Sequence, residues 1–116
     1  MYFDGSWYSL TIKDEFIDND NPVACLDAQL LSNLVLSPIL GIHDLKTDNR
    51  VNFIEGTKGM KALQESVDSN KAKVAFGFFP VSIDQLKRVA DTNNIMPPKS
   101  TWIEPKIRSG LTVFEF

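Results

Sequence analysis

The chain opens on Met1-Tyr2-Phe3-Asp4-Gly5-Ser6-Trp7-Tyr8-Ser9-Leu10-Thr11-Ile12, and this stretch decides the fold class. An Asp-Gly pair between two apolar runs is typical of a two-residue type I′ hairpin, because both central positions of that turn need a positive φ. Tyr8, Leu10 and Ile12 share one face of the second arm, since side chains alternate along a strand. The chain is therefore predicted to begin with an antiparallel hairpin that has one buried side.

Helical spacing follows the hairpin between Leu26 and Leu36. Pro38 should end this helix, and Gly41 suits a left-handed residue beyond its C-terminus. Because its apolar face is wide, we expect the helix to pack across the sheet.

A strand over 51–54, a helix over 57–68 and a strand over 74–79 form the next predicted unit, a right-handed βαβ crossover. Val74 to Phe79 is apolar on both faces, which indicates a central strand, and Gly77 indicates a close backbone approach. Gly56 and Gly59 flank a turn that could hold a phosphate, or Gly56 could simply permit the turn with Thr57 as N-cap.

The clearest predicted helix begins at Ser82, which forms a capping box with Gln85. Its predicted buried stripe contains Ile83, Leu86, Val89 and Ala90, and it ends at Asn93-Asn94. A last strand is predicted over 111–116. These elements predict an α+β domain with a mixed sheet, an N-terminal hairpin and about three helices mainly on one face, or alternatively a three-layer α/β arrangement.

Composition limits the class of protein. A chain of 116 residues corresponds to a single domain over 1–116, and 43% hydrophobic residues can form a core. A net charge of −3 argues against general nucleic-acid binding, and no apolar run reaches the length of a membrane-spanning helix. The lone Cys25 excludes an internal disulfide and indicates a cytoplasmic protein. Because the chain enters its first strand at once, we expect it to be a piece of a longer polypeptide.

The candidate site lies in the proline-rich stretch Ile95 to Gly110, which is too rich in Pro for a helix and too apolar for a disordered linker. Cations and hydroxyls on an ordered loop suit a phosphate or carboxylate, and the predicted ligand-binding residues are Lys99, Ser100, Thr101, Trp102, Lys106 and Arg108. In the alternative interpretation, Glu104 pairs with the nearby cations and Trp102 covers the open end of the sheet.

Other polar groups carry weaker hypotheses. His43 and Asp44 could form a catalytic dyad, but an exposed loop His is the simpler interpretation. The acidic residues between Lys13 and Pro22 lack the EF-hand spacing, so a solvated connection is favoured over calcium. One His and one Cys make a zinc site improbable, no metal is predicted, and no catalytic residue or cofactor is identified.

The proline-rich stretch also resembles the closing signature of an uncharacterised prokaryotic family, domain of unknown function 1015. The resemblance is carried by Ile95-Met96-Pro97-Pro98-Lys99-Ser100-Thr101-Trp102, Glu104-Pro105-Lys106 and Arg108-Ser109-Gly110-Leu111. It extends to Asp4-Gly5, Trp7-Tyr8, Leu26-Asp27, Pro38-Ile39-Leu40-Gly41-Ile42 and Val74-Ala75-Phe76. Ile103 stands where the family has an aromatic residue, and Glu55 where a Gly is common. The resemblance implies a longer parent protein, of which this chain is the C-terminal part, but it implies no activity.

Two hypotheses follow, from different classes. The chain is either the part of an intracellular enzyme that binds an anionic small molecule, or a non-catalytic module that packs against the N-terminal portion of its parent or a second copy. The first depends on the positive cluster of the proline-rich stretch. The second depends on the aromatic residues near the two ends of the chain: Tyr2, Trp7, Tyr8, Phe114 and Phe116.

Overall fold

The structure is a computed structural model, and it describes residues 1–101. Its sheet has three strands, β1 (Tyr2–Phe3), β2 (Ser6–Trp7) and β3 (Val74–Ala75), in the order β2-β1-β3. Both pairings are antiparallel, with Tyr2 opposite Trp7 on one side and opposite Ala75 on the other.

The predicted N-terminal hairpin turn is confirmed, but the predicted buried side of its second arm is wrong, because Tyr8 and Leu10 are 47% and 50% exposed. Asp4 and Gly5 have φ values of 48° and 73°, so both central residues of the turn lie in the left-handed region that a type I′ turn requires. Met1 and Tyr8 exchange hydrogen bonds beyond the hairpin strands: the Tyr8 amide donates to the Met1 carbonyl at 2.7 Å, and the Met1 amino group donates to the Tyr8 carbonyl at 2.8 Å. The local sequence is sufficient to specify this element.

The predicted βαβ unit is wrong. Residues 51–54 form no strand, because the Val51 amide donates to the Asp48 carbonyl at 3.1 Å and closes a turn there. The strand predicted over 74–79 is reduced to β3, which lies at an edge of the described sheet and pairs antiparallel with β1. The α+β class is confirmed, but the described sheet is antiparallel and not mixed. The strand predicted over 111–116 lies outside the described residues.

Within residues 1–101, three helices accompany this sheet, as predicted. Helix α1 (Asp27–Leu31) continues into a π-helical turn (Ser32–Leu36), α2 (Gly59–Asp68) follows a 3-10 turn (Gly56–Lys58), and α3 spans Ile83–Asp91. Gly41 is left-handed, with a φ of 64°, and its amide donates to the Ser37 carbonyl, which confirms its predicted role after the first helix. The prediction that Thr57 caps the second helix is wrong, because Thr57 lies inside the 3-10 turn.

The helix that packs on the sheet is α2, which lies against β1 and β3. The prediction that the Leu26–Leu36 helix crosses the sheet is therefore wrong. Tyr2 is buried in β1, and its hydroxyl donates to the Asp68 carboxylate at the end of α2 at 2.8 Å. The close approach predicted at Gly77 is confirmed, since a Cβ there would stand 3.0 Å from the Met60 sulfur.

Helix α3 begins with the predicted capping box. The Gln85 amide donates to Ser82 Oγ at 3.1 Å, and the Ser82 amide donates to Gln85 Oε1 at 2.9 Å. The predicted buried stripe is wrong except at Val89, because Ile83 is 83% exposed and Leu86 and Ala90 are also exposed. Val89 does not lie on the same side of the helix as Ile83. The helix is therefore turned about its axis relative to the predicted orientation, so that Ile83 faces solvent.

The acidic segment before α1 is exposed and internally hydrogen-bonded. Asp18 Oδ1 accepts from the amides of Asp20 and Asn21, and Arg88 of α3 donates to the Asn19 carbonyl at 2.9 Å. Within residues 1–101, no three side chains of the metal-binding types lie close enough together to hold a metal ion. No described helix has the length and apolarity needed to cross a membrane.

Candidate functional site

The described part of the proline-rich stretch forms a tight turn. The buried Pro97 carbonyl accepts two hydrogen bonds from Ser100, one from its hydroxyl at 2.7 Å and one from its amide at 3.3 Å. The hydroxyl proton of Ser100 is therefore engaged within the turn. The predicted role of Ser100 as a donor to an anion is not supported by this geometry, although the residue helps to shape the loop.

Lys99 lies inside this turn in the left-handed conformation, with a φ of 56°. The other non-Gly residues with positive φ among those described are Asp4, Asn70 and Asn93, and Asp and Asn tolerate this region through local hydrogen bonds. A Lys has no such compensation. Backbone conformations of this kind are found preferentially at functional sites, where the surrounding structure holds them in place.

A cavity of about 400 Å³ borders this turn, and we call it the Lys99 cavity. Its wall includes Pro98, Lys99 and Ser100 from the turn, together with residues of α1, α2, β3 and the segments 40–54 and 76–81. Most of the remaining wall is apolar, and it includes Leu26, Ile42, Val51, Ile54, Ala75 and Phe76. A volume of this size is within the range of small-molecule sites.

Arg50 is a second cation on the cavity wall, but it is already occupied. Its guanidinium binds both oxygens of the Asp48 carboxylate, at 2.6 Å and 3.0 Å, and donates to the carbonyls of Leu40 and Gly41 at 2.9 Å and 3.0 Å. The Arg50 side chain, together with its backbone amide, lowers the pKa of Asp48 to about 2. Arg50 therefore joins two loops, and its charge is balanced by Asp48.

Lys99 differs from Arg50 in its electrostatic environment. Within residues 1–101, the salt bridges involve Lys13, Arg50, Lys58 and Lys61, and none involves Lys99. Lys99 also borders a second, more open depression beside Lys46 and Asp48. A cation without a described carboxylate partner, on the wall of a cavity, is the arrangement that a negatively charged ligand group requires.

The other predicted site residues are placed as follows. Thr101 is exposed and is not part of the cavity wall, so the structure does not bring it together with Lys99. Trp102, Lys106 and Arg108 lie outside the described residues. Sequence reasoning missed the Asp48–Arg50 pair, although two opposite charges flanking Asn49 could have indicated a local ion pair.

The proposed His43–Asp44 dyad is not formed. Asp44 accepts hydrogen bonds from the Lys46 amide at 2.8 Å and from the Thr47 hydroxyl at 2.9 Å, so both of its oxygens are used within its own turn. These bonds, the one from the Lys46 amide first, lower the pKa of Asp44. The exposed His43 instead pairs with Ser37, with 2.9 Å between Nδ1 and Oγ.

Comparison of the chain with protein-family models, curated proteins and solved structures gives no match. The Lys99 cavity is therefore interpreted from its own geometry.

Proposed function

We propose that this chain is the anion-binding part of a cytoplasmic protein of the domain of unknown function 1015 type. In this proposal, Lys99 binds the phosphate or carboxylate of a small molecule that is the substrate or ligand of a larger enzyme. The observation that carries the proposal is the left-handed Lys99 on the cavity wall, without a salt bridge in the described part of the chain. Because the net charge of the chain is negative, the chain as a whole does not attract anions. Anion binding must therefore depend on a local positive charge.

A thermal-shift screen tests this proposal. The purified chain is heated with phosphate, sulfate, nucleotides, sugar phosphates, phosphoamino acids and simple carboxylates. A ligand at about 100 times its Kd stabilises the fold by about 2.7 kcal/mol, which is a measurable shift for a domain of this size.

The matched variants are Lys99→Ala, Lys99→Arg and Lys87→Ala. We expect the shift to disappear in Lys99→Ala, to survive in Lys99→Arg because the charge remains, and to survive in Lys87→Ala, which removes an exposed Lys of α3. A ligand shift of equal size in Lys99→Ala and in the unaltered chain would contradict the proposed site.

A second candidate function is a non-catalytic module that associates with another copy of the chain. Phe79 and Ile83 are 87% and 83% exposed, and Leu86 lies one helical turn beyond Ile83 on the same side of α3. Large apolar side chains this exposed, near one another in sequence, are typical of surfaces that a partner covers. We call this surface the α3 apolar face, defined by Phe79, Ile83 and Leu86.

A further inference from the structure

The Lys99 cavity extends from the core of the described structure to its surface. Three residues of its wall belong to the small set of buried apolar side chains: Leu26, which is 1% exposed, Ile42 and Ala75. Lys99, on the same wall, is exposed. The cavity thus has an apolar inner part and a cationic outer part. This arrangement is complementary to a ligand with an apolar body and an anionic end.

The charges on the wall restrict the ligand further. The ionisable groups are Asp27, Arg50 and Lys99, and the Arg50 charge is balanced by Asp48. Asp27 places a carboxylate on the same wall, which disfavours a second negative charge on the ligand. One available cation and one fixed carboxylate favour a ligand with a single negative charge over a polyanion such as a nucleotide.

We infer that the ligand of the Lys99 cavity is a monocarboxylate with an aliphatic or aromatic body, which lies against Leu26, Ile42 and Ala75 while its carboxylate pairs with Lys99. This inference rests on the proposed function and narrows it to a class of ligand. The volume is sufficient, because a dry cavity of about 150 Å³ already takes up benzene and this one is about 400 Å³.

Chain length provides the quantitative test. Each methylene that leaves water raises affinity about fourfold, so the four additional methylenes of octanoate over butanoate would raise it about two-hundredfold if all were buried. We expect octanoate to bind at least about tenfold more tightly than butanoate. The affinities are measured by calorimetry on the full chain, and methyl NMR spectra report which Leu, Ile and Val residues respond.

A set of variants separates the contribution of the Lys99 charge from the contribution of the cavity volume. Lys99→Ala should weaken octanoate binding about tenfold or more, whereas Lys87→Ala should not. Ala28→Leu fills the cavity from α1 and should weaken octanoate binding without weakening the response to inorganic phosphate. Ala90→Leu, on the exposed side of α3, is its matched control. Ala72→Leu, also on the cavity wall, replaces Ala28→Leu if that variant does not fold.

The outcomes distinguish this inference from the proposed function. Methyl shifts at Leu26, Ile42 and Val51, with none at the exposed Ile39 and Ile83, support it. Equal affinities for butanoate and octanoate, together with a Lys99-dependent phosphate shift, overturn the ligand class and leave the anion site standing. Octanoate binding that does not depend on Lys99 overturns the inference, and failure of every anion to bind overturns both proposals.

Discussion

At the scale of single residues, Lys99 combines an unfavourable backbone conformation with a place on the cavity wall. The left-handed region costs a non-Gly residue about 1–2 kcal/mol. The two hydrogen bonds from Ser100 to the Pro97 carbonyl hold the turn in this form. If the Lys side chain serves a ligand, a residue better suited to the turn should make the protein more stable and less able to bind.

We expect Lys99→Gly to leave the free energy of unfolding unchanged or to raise it by up to about 1 kcal/mol. Gly removes the left-handed penalty but loses about 0.5–1 kcal/mol through its greater freedom in the unfolded chain. Lys87→Gly, in the interior of α3, should instead lower it by about 1 kcal/mol. Urea unfolding of the two variants measures both values, and equal destabilisation would contradict this account of Lys99.

Asp48 carries a prediction about pH. Its side chain is 18% exposed and is bound by Arg50, which lowers its pKa to about 2 from an ordinary 3.8. A carboxylate whose pKa is lower in the folded chain than in the unfolded chain stabilises the fold at pH values above the unfolded pKa. That contribution is lost as the pH falls through the folded pKa.

We therefore expect the Tm difference between the unaltered chain and Asp48→Asn to be constant from pH 7 to about pH 5. The difference should shrink between about pH 4 and pH 2, because Asp48 takes up its proton there in the unfolded chain, whereas the folded carboxylate is protonated only near pH 2. Asp91→Asn, at the end of α3, is the matched substitution, and its Tm difference is measured over the same interval. A Tm difference that stays constant down to pH 2 would show that the Asp48–Arg50 pair does not stabilise the fold through the lowered pKa of Asp48.

At the scale of elements, α3 has the best defined start in the described structure. Ser82 and Gln85 satisfy two amide groups reciprocally, and they lie within four residues of each other. The side of α3 that faces the rest of the structure is decided elsewhere, by the contact from Arg88 to the Asn19 carbonyl and by the burial of Val89. The helix boundary is thus local, whereas its orientation depends on tertiary contacts.

Ser82→Ala should lower the free energy of unfolding by about 1 kcal/mol, because the Gln85 amide loses its acceptor. Ser82→Asp should retain most of the stability, since a carboxylate also accepts from that amide and lies favourably at a helix N-terminus. Guanidinium unfolding monitored by circular dichroism measures both variants. Equal stability of the Ala and Asp variants would mean that the cap contributes little.

At the scale of the whole molecule, the described chain buries few of its large apolar side chains. Tyr2 and Ala75 are buried in the small sheet, whereas Phe79 and Ile83 are largely exposed. These exposed apolar side chains favour association with another copy of the chain, whereas the Lys99 cavity favours the binding of a small molecule. The two features meet at Phe79, which belongs to the α3 apolar face and also lies on the wall of the Lys99 cavity.

Light scattering after size-exclusion chromatography tests association through the α3 apolar face. We expect a dimer at high protein concentration, because burying Phe79 and Ile83 removes apolar surface from water. The double variant Phe79→Ser, Ile83→Ser should be monomeric, whereas the control Ile39→Ser, which changes a 70% exposed side chain elsewhere, should still dimerise. A strict monomer at every concentration would remove the second candidate function.

The features that could be predicted from the sequence are those that neighbouring residues decide. Asp4-Gly5 can adopt the two positive φ values of the hairpin turn, Ser82 and Gln85 form the capping box, and Gly41 adopts the left-handed form after the first helix. The sequence also predicts that the proline-rich stretch is ordered and cationic, and it includes Lys99 among the candidate site residues. Each of these requires only a few consecutive residues and their backbone geometry.

The features decided by tertiary structure involve residues distant in the chain. Pairing of β3 with β1, more than seventy residues earlier, leaves 51–54 out of the described sheet and replaces the expected parallel unit with an antiparallel one. The Lys99 cavity is walled by segments from α1 to residue 100, so no local pattern could reveal it. The sequence by itself determined the hairpin turn, the Ser82–Gln85 cap and the left-handed Gly41, because their hydrogen bonds and backbone angles are local, and it indicated the α+β class through its strand and helix patterns. Only the tertiary structure decided which strands pair, which side of α3 is buried and where the cavity lies, because those depend on packing between distant segments.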